Sequence, residues 1–375
     1  MAHTNTLLQK VKHEISRHVF DSAEKRYFQA GDARKFSNKN LFTFWLYVHI
    51  KATHSLRGAV ESLNLCIERL YHLGFSDTLK RSTISDAIRN RTHKFFEDLF
   101  FTELAFTKRQ YKNKFAFPLR ILDSTEIVIK HIKFAWEEFK NKKNMFKIHM
   151  EICGMTSFPL SVDITSGKVG DITHAKKKMY EPGTILLMDR AYFDTGWWIK
   201  LNHNGVLFIT RRKEGIIFKT INTKKLKEEN LVEEKIIQFM GDASQKYNEH
   251  LRCVSIYDKE KNEVFDIITN EFDLPAKTIA ALYKQRWQIE LFFKWLKQHL
   301  KIKHFVGLNS NAMLMQVWTA MLTYLLIWRM HKRSSYKNRP IFDFLRYLET
   351  RLLLPDIQLR LFPPRKKIPI QWKLF

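Results

Sequence analysis

Apolar residues recur at spacings of three and four through about the first 110 positions, and strand-like alternation is absent there. Segments such as NLFTFWLYVHIKA (residues 40–52) and SLRGAVESLNLCIERLYHLG (residues 55–74) predict amphipathic helices. Ser82, Thr83, Ser85 and Asp86 offer capping side chains ahead of another helix reaching Phe100. Short helices joined by polar turns and rich in Lys and Arg allow a helix-turn-helix DNA reader. A bundle that merely packs fits the same pattern equally well.

Near Phe117 the pattern changes. Leu119-Arg120-Ile121-Leu122 predicts a short apolar strand ending on Asp123. Phe146, Ile148, Met150 and Ile152 then alternate with Lys147, His149, Glu151 and Cys153, the period of a half-buried strand. Leu160, Val162 and Ile164 alternate likewise. The unbroken run Ile185-Leu186-Leu187-Met188 reads as a central parallel strand and also ends on a carboxylate, Asp189. A crossover helix over 197–202 and a buried strand over 206–209 complete an α/β pattern. Between Gly215 and Glu271, four strand-like segments separated by charged turns predict an antiparallel module inserted into it. Asp273 and Pro275 then signal a helix start, as cap and first-turn residue.

The most apolar stretch, Ala312 to Trp328, spans 17 residues and is interrupted by Gln316, Thr319 and Thr323. Crossing a bilayer takes about 20 apolar residues, so a buried core helix is expected and no membrane association. The first 20 residues hold no continuous apolar segment and so no signal peptide. Cys66, Cys153 and Cys253 are far apart, without zinc-ligand spacing, and suit a reducing cytoplasm.

Charge narrows the class. The 375 residues carry 64 Lys+Arg against 38 Asp+Glu, a net +26, which favours a polyanionic partner. With 30 Phe, 12 Tyr and 9 Trp, the chain is too apolar for intrinsic disorder. Residues 331–375 hold 11 Lys+Arg against 3 acidic residues. That segment suits contact with DNA or a second subunit, or simply a basic tail.

Candidate chemistry concentrates in residues 283–297, YKQRWQIELFFKWLK. On one continuous helix, Tyr283, Arg286, Glu290, Lys294 and Lys297 fall within a sector about 80° wide, with Ile289, Phe292 and Leu296 opposite. By itself this could be an ordinary solvated face with a Glu290–Lys294 pair. Two strand-end carboxylates change the weighting, because open α/β sheets place ligands at such ends. Three convergent carboxylates form a hard oxygen site suited to Mg²⁺. Two such ions about 4 Å apart support in-line displacement at phosphorus.

Tyr283-x2-Arg286-x3-Glu290-x6-Lys297 resembles the Y-R-E-K signature of insertion-sequence transposases of family four, which are DDE enzymes. Leu122-Asp123-Ser124-Thr125 and Met188-Asp189-Arg190-Ala191-Tyr192 look like the first and second Asp motifs of that family. The resemblance covers nearly the whole chain apart from its last 45 residues. It implies an α/β ribonuclease-H-like catalytic core with a β-rich insertion, preceded by an all-helical N-terminal DNA-binding domain. The corresponding boundaries are 1–112, 113–330 with the insertion at about 212–272, and a basic C-terminal segment at 331–375.

By the same resemblance Asp123, Asp189 and Glu290 are the catalytic and metal-binding residues, holding two Mg²⁺ ions for which Mn²⁺ can substitute. Tyr283, Arg286 and Lys297 would hold phosphates of the transposon end. Apart from the resemblance, Lys294 shares their helix face, and Arg211 and Arg212 follow a predicted strand, where a DNA-backbone contact and a solvated turn fit equally well. The implied function is cleavage at terminal inverted repeats, often through a hairpin, and transfer of the ends to target DNA by a homodimer in a synaptic complex. The location is the bacterial cytoplasm, at the nucleoid when DNA-bound. Alternatives on the same fold are a nuclease that only hydrolyses, and a catalytically idle repressor.

Two departures stand out. Ala191 replaces the usual Gly, and residues 212–272 contain no Trp to match the family's base-stacking residue. Tyr247, Phe239 and Trp287 are the candidate substitutes, each also readable as a core or surface aromatic. His149 and His174 are read as structural.

Overall fold

The computed structural model describes residues 6–27, 36–53, 55–111, 118–128, 145–228, 230–300 and 309–354. Two compact units emerge. Among the described residues, one comprises those within 6–111 and 294–354, and the other those within 118–128 and 145–293.

The first unit is helical. It opens with α1 (Leu7–Lys12), α2 (Arg17–Arg26), α3 (Asn38–Ile50), α4 (Leu56–Asn64), α5 (Ile67–Leu73), α6 (Arg81–Asn90) and α7 (Lys94–Gln110). Serines start three of them: Ser16, Ser37 and Ser55 accept the backbone N–H of Val19, Asn40 and Gly58. Each such cap contributes about 1 kcal/mol by satisfying an N–H that has no partner within the helix. The run from Ser82 to Asp86, expected to cap a helix, instead lies inside α6. Ile84, Ala87 and Ile88 bury one face of that helix and so draw the polar run into helical register.

The sheet unit carries β1 (Leu119–Val128), β2 (Met145–Cys153), β3 (Pro159–Ser166), α8 (Asp171–Ala175), β4 (Ile185–Met188), α9 (Thr195–His203) and β5 (Leu207–Arg211). These are followed by β6 (Phe218–Lys225), β7 (Leu231–Phe239), α10 (Asp242–Lys246), β8 (Leu251–Asp258), β9 (Glu263–Thr269), α11 (Ala276–Gln285) and, as far as Phe293, α12 (Trp287–Leu300). One sheet of nine strands runs β3-β2-β1-β4-β5-β9-β8-β7-β6. Within it β1, β2 and β3 are antiparallel neighbours, while β1, β4 and β5 run parallel. A mixed five-strand sheet of this kind fits a ribonuclease-H-like core.

The expected β-rich insertion forms, but as an extension of that core sheet. β9 pairs antiparallel with β5, matching Ile209 to Thr269, and β8, β7 and β6 follow outward. Side chains explain the continuity. Trp197 and Trp198 of α9 lie in one buried cluster with Leu186 and Phe208 of the core strands and with Ile237, Leu251 and Cys253 of the added ones.

Among the described residues two helices follow, α13 (Ser310–Arg333) and α14 (Ile341–Arg351). α13 is long and apolar enough to cross a membrane, yet 83% of its most apolar window is buried. It was expected within the catalytic domain; it packs instead against α3 and α7, in a helical unit built from both ends of the chain. Asn309 caps it by accepting the Ala312 N–H at 2.7 Å. The tail over 355–375, including its basic run, lies outside the described residues.

Candidate active site

Strand register brings the two aspartates together. β1 and β4 pair in parallel through Leu119–Ile185, Arg120–Leu186 and Ile121–Leu187. Two residues further along each strand come Asp123 and Asp189, on strands about 4.8 Å apart. Leu122 and Met188 belong to the core cluster under α9, so alternation directs Asp123 to the opposite face. Asp123 does not end its strand as expected. β1 continues to Val128 because β2 keeps pairing with it beyond the point where β4 stops.

Backbone donors hold both carboxylates. The Ser124 N–H donates to Asp123 Oδ1 (2.8 Å), and the Ala191 N–H donates to Asp189 Oδ1 (2.8 Å). Ala191 is not among the residues with positive φ, so the usual Gly is dispensable at this turn. Thr210, fully buried on β5, donates its hydroxyl to the Asp189 carbonyl at 3.1 Å.

The third acidic residue arrives on a bent helix pair. The continuous helix expected through 283–297 breaks at Arg286, which closes α11 and precedes α12. Three-residue bonds, Arg286 N–H to Tyr283 and Ile289 N–H to Arg286, tighten the junction. Arg286 keeps helical dihedrals, so the one-turn spacing survives: its Nη2 donates to Glu290 Oε1 at 2.6 Å. Its guanidinium also lies 5.7 Å from the Tyr283 ring centre. Ser157 donates to Gln288 Oε1 (2.8 Å), tying the first turn of α12 to the β2–β3 turn. At the start of α11, Pro275 rather than Asp273 is the cap residue. The backbone N–H groups of Asp273 and Leu274 are held by the Glu271 carboxylate.

Burial, opposed by the Ser124 N–H and reinforced by the charges of Asp189 and Glu290, pushes the Asp123 carboxyl up to about 7. Asp189 is raised mainly by burial, against the Ala191 N–H and the Arg286 charge. Tyr283 is raised by burial and opposed by Arg286, with Arg211 also acting on it.

Asp123, Asp189, Tyr283, Arg286 and Glu290 therefore form one electrostatic group, with Arg211 at its margin. Arg211 bonds Glu263 (3.2 Å) and lies over Phe265, while Arg212 is paired with Asp266 (3.1 Å) on β9. Lys294 and Lys297 are exposed further along α12, in the share of that helix that belongs to the helical unit. Of the candidate stacking aromatics, Tyr247 and Phe239 are core residues, whereas Trp287 is 57% exposed. His149 and His174 stack on each other at 4.1 Å. Their neighbour Asp171, the first residue of α8, carries no signal in the sequence that sets it apart from other isolated acids.

Two half-buried carboxylates destabilised as anions, with the charge of Glu290 acting on Asp123, are a donor set that suits a hard divalent cation. The set is not preassembled. Among the described residues no three His, Cys, Asp or Glu side chains are gathered closely enough to hold an ion, and Glu290 is engaged by Arg286. Arg286 Nε is buried without a hydrogen-bond partner among the described residues, a donor waiting for an acceptor.

A family model described as the transposase DDE domain matches residues 114–326, more than half of the chain. The chain belongs to the DDE transposase family. A second model, described as a domain of unknown function, matches residues 3–76 of the transposase. Its relatives include a Sinorhizobium fredii protein named transposase y4zB, 29% identical over 70% of this chain and 74% of its own length. A Geobacillus stearothermophilus protein named as the transposase of insertion-sequence element IS5377 is 24% identical over 91% of this chain and 86% of its own. A Synechocystis protein named for the element IS4SA is 26% identical over 79% and 82%. The transposase is thus a DDE-type enzyme that acts on DNA, and its family implies a divalent metal ion, generally Mg²⁺.

Proposed function

We propose that this enzyme is an insertion-sequence transposase of the family-four, Y-R-E-K type. It binds the terminal inverted repeats of its element, cleaves at the ends and transfers them to target DNA by cut-and-paste. The observation carrying this reading is the register that sets Asp123 beside Asp189, with the Arg286–Glu290 pair in their field.

Asp123, Asp189 and Glu290 would hold two Mg²⁺ ions, replaceable by Mn²⁺, which supply charge stabilisation at the reacting phosphate. Arg286 exchanges Glu290 for a phosphate of the transposon end, offering the planar fork that suits a phosphate's two oxygens. Tyr283, stacked against Arg286, holds that guanidinium in place. Lys297 and Lys294 along α12, with Arg211 and Arg212 at the end of β5, bind neighbouring backbone phosphates. Where the reaction passes through a hairpin, exposed Trp287 is the aromatic placed to stack a displaced base. Joining two ends calls for a homodimer in the synaptic complex, working in the bacterial cytoplasm at the nucleoid.

Strand transfer tests this reading. Purified protein, a precleaved element end and a target plasmid in Mg²⁺ should give joined products. Hydrolysed ends with no joined product would reduce the enzyme to a nuclease.

A further inference from the structure

Ser124 sits between two carboxylates. Its N–H donates to Asp123 Oδ1 (2.8 Å) and its hydroxyl donates to Asp171 Oδ1 (2.6 Å). Asp171 opens α8, in the connection between β3 and β4, and nothing in the Y-R-E-K resemblance assigns it a role. The same Asp171 oxygen accepts from Lys147 Nζ at 3.2 Å and lies 3.7 Å from His149 Nδ1. Lys147 and His149 are both enclosed, with side chains 11% and 3% exposed. His149 is fixed from behind by Thr165 Oγ1 (2.8 Å) and by its stack on His174, whose Nε2 is 3.3 Å from Asp163.

We infer that Asp171, acting through Ser124, is a positioning residue that sets the Asp123 carboxylate for a divalent cation. This rests on the reading that Asp123 holds the cation. Anchoring the Ser124 side chain to Asp171 restrains this stretch of β1 and with it the N–H that Asp123 accepts. The carboxylate that accepts this N–H is then held in one rotamer, with Oδ2 aimed consistently. Groups that hydrogen-bond metal-ligating carboxylates commonly change metal affinity by 10- to 100-fold when removed. A residue serving only as counterion to Lys147 would affect folding and leave metal affinity alone.

The test uses the full chain and two readouts: calorimetric titration with Mn²⁺ in the absence of DNA, and the Mg²⁺ dependence of end cleavage. Ser124→Ala and Asp171→Ala should each weaken metal binding roughly 10-fold and raise the half-saturating Mg²⁺ to match. Excess Mg²⁺ should restore most of the rate. The double variant should be no worse than either single one, and Ser124→Thr, which keeps the hydroxyl, should behave as wild type. If Asp171→Ala fails to fold, Ser124→Ala decides. Unchanged metal affinity and Mg²⁺ requirement, or losses that multiply in the double variant, would overturn the inference. Asp123→Ala separates the two levels: its full activity would sink the parent reading, whereas its inactivity beside unaffected Ser124 and Asp171 variants would sink only this one.

Discussion

Two arginine–glutamate pairs, one from each unit, make a contrast. In the helical unit Arg329 of α13 donates to Glu103 of α7 at 2.5 Å, both side chains only 3% exposed. Arg329 also donates to the Glu14 carbonyl, so it fastens three separate stretches of chain. In the sheet unit Arg286 and Glu290 are one helical turn apart at 2.6 Å, with side chains 17% and 34% exposed. Their pairing joins nothing that the helix does not already join. The first pair is a structural lock, since without Arg329 the Glu103 carboxylate would be a buried charge lacking its cation. The second is exchangeable: Arg286 keeps an unused donor and faces Asp123 and Asp189, which burial already strains as anions.

The contrast breaks first at the lock. Arg329→Met should destabilise the protein by about 3–5 kcal/mol, because it leaves Glu103 buried without its cation. Urea unfolding measures this, and a loss below about 1 kcal/mol would remove the distinction between the pairs. Burial already raises the Glu103 carboxyl against the pull of Arg329, so Glu103 in that variant would be protonated more readily still.

Arg286→Lys should leave the urea midpoint nearly unchanged and lower the end-cleavage rate on the order of 100-fold, as expected for losing a fixed donor at a developing charge. Equal losses of stability and rate would mean that Arg286 is another lock. Lys297→Ala sharpens the same point more gently. It should weaken binding to end DNA and flatten its salt dependence by about one phosphate contact, with little effect on cleavage at saturating DNA.

The smallest effect concerns acid. Hydrogen bonding to His174, together with Lys178 and against burial, lowers the Asp163 carboxyl to about 2. A lowered carboxylate pKa adds stability above its unfolded value of about 3.9, and that stability is lost as pH falls toward 2. The difference in melting temperature between wild type and Asp163→Asn should therefore be present at pH 5 and shrink as pH falls below about 4.

Local chemistry made most of the sheet unit legible. The apolar run Ile185–Met188 is β4 to the residue, and both aspartates stand where alternation and strand order meet. The Arg286–Glu290 contact also follows from four-residue spacing. What stayed hidden depended on distant partners. α13 is apolar all round, and such a helix does not say which unit encloses it. The bend at Arg286 has no Pro or Gly to announce it, since neither residue occurs between Ala276 and Leu300. Antiparallel hairpins look the same whether they form a separate module or add strands to a core sheet; the β5–β9 pairing decides it. Asp171 has its meaning only beside Ser124 and Lys147, residues 47 and 24 positions away.

We propose above all that the neighbouring aspartates are the reaction centre. The most direct test is the Mg²⁺-dependent cleavage of end DNA by Asp189→Ala, alongside binding of the same DNA. No detectable cleavage and near-normal binding are expected. Cleavage at the wild-type rate would contradict it.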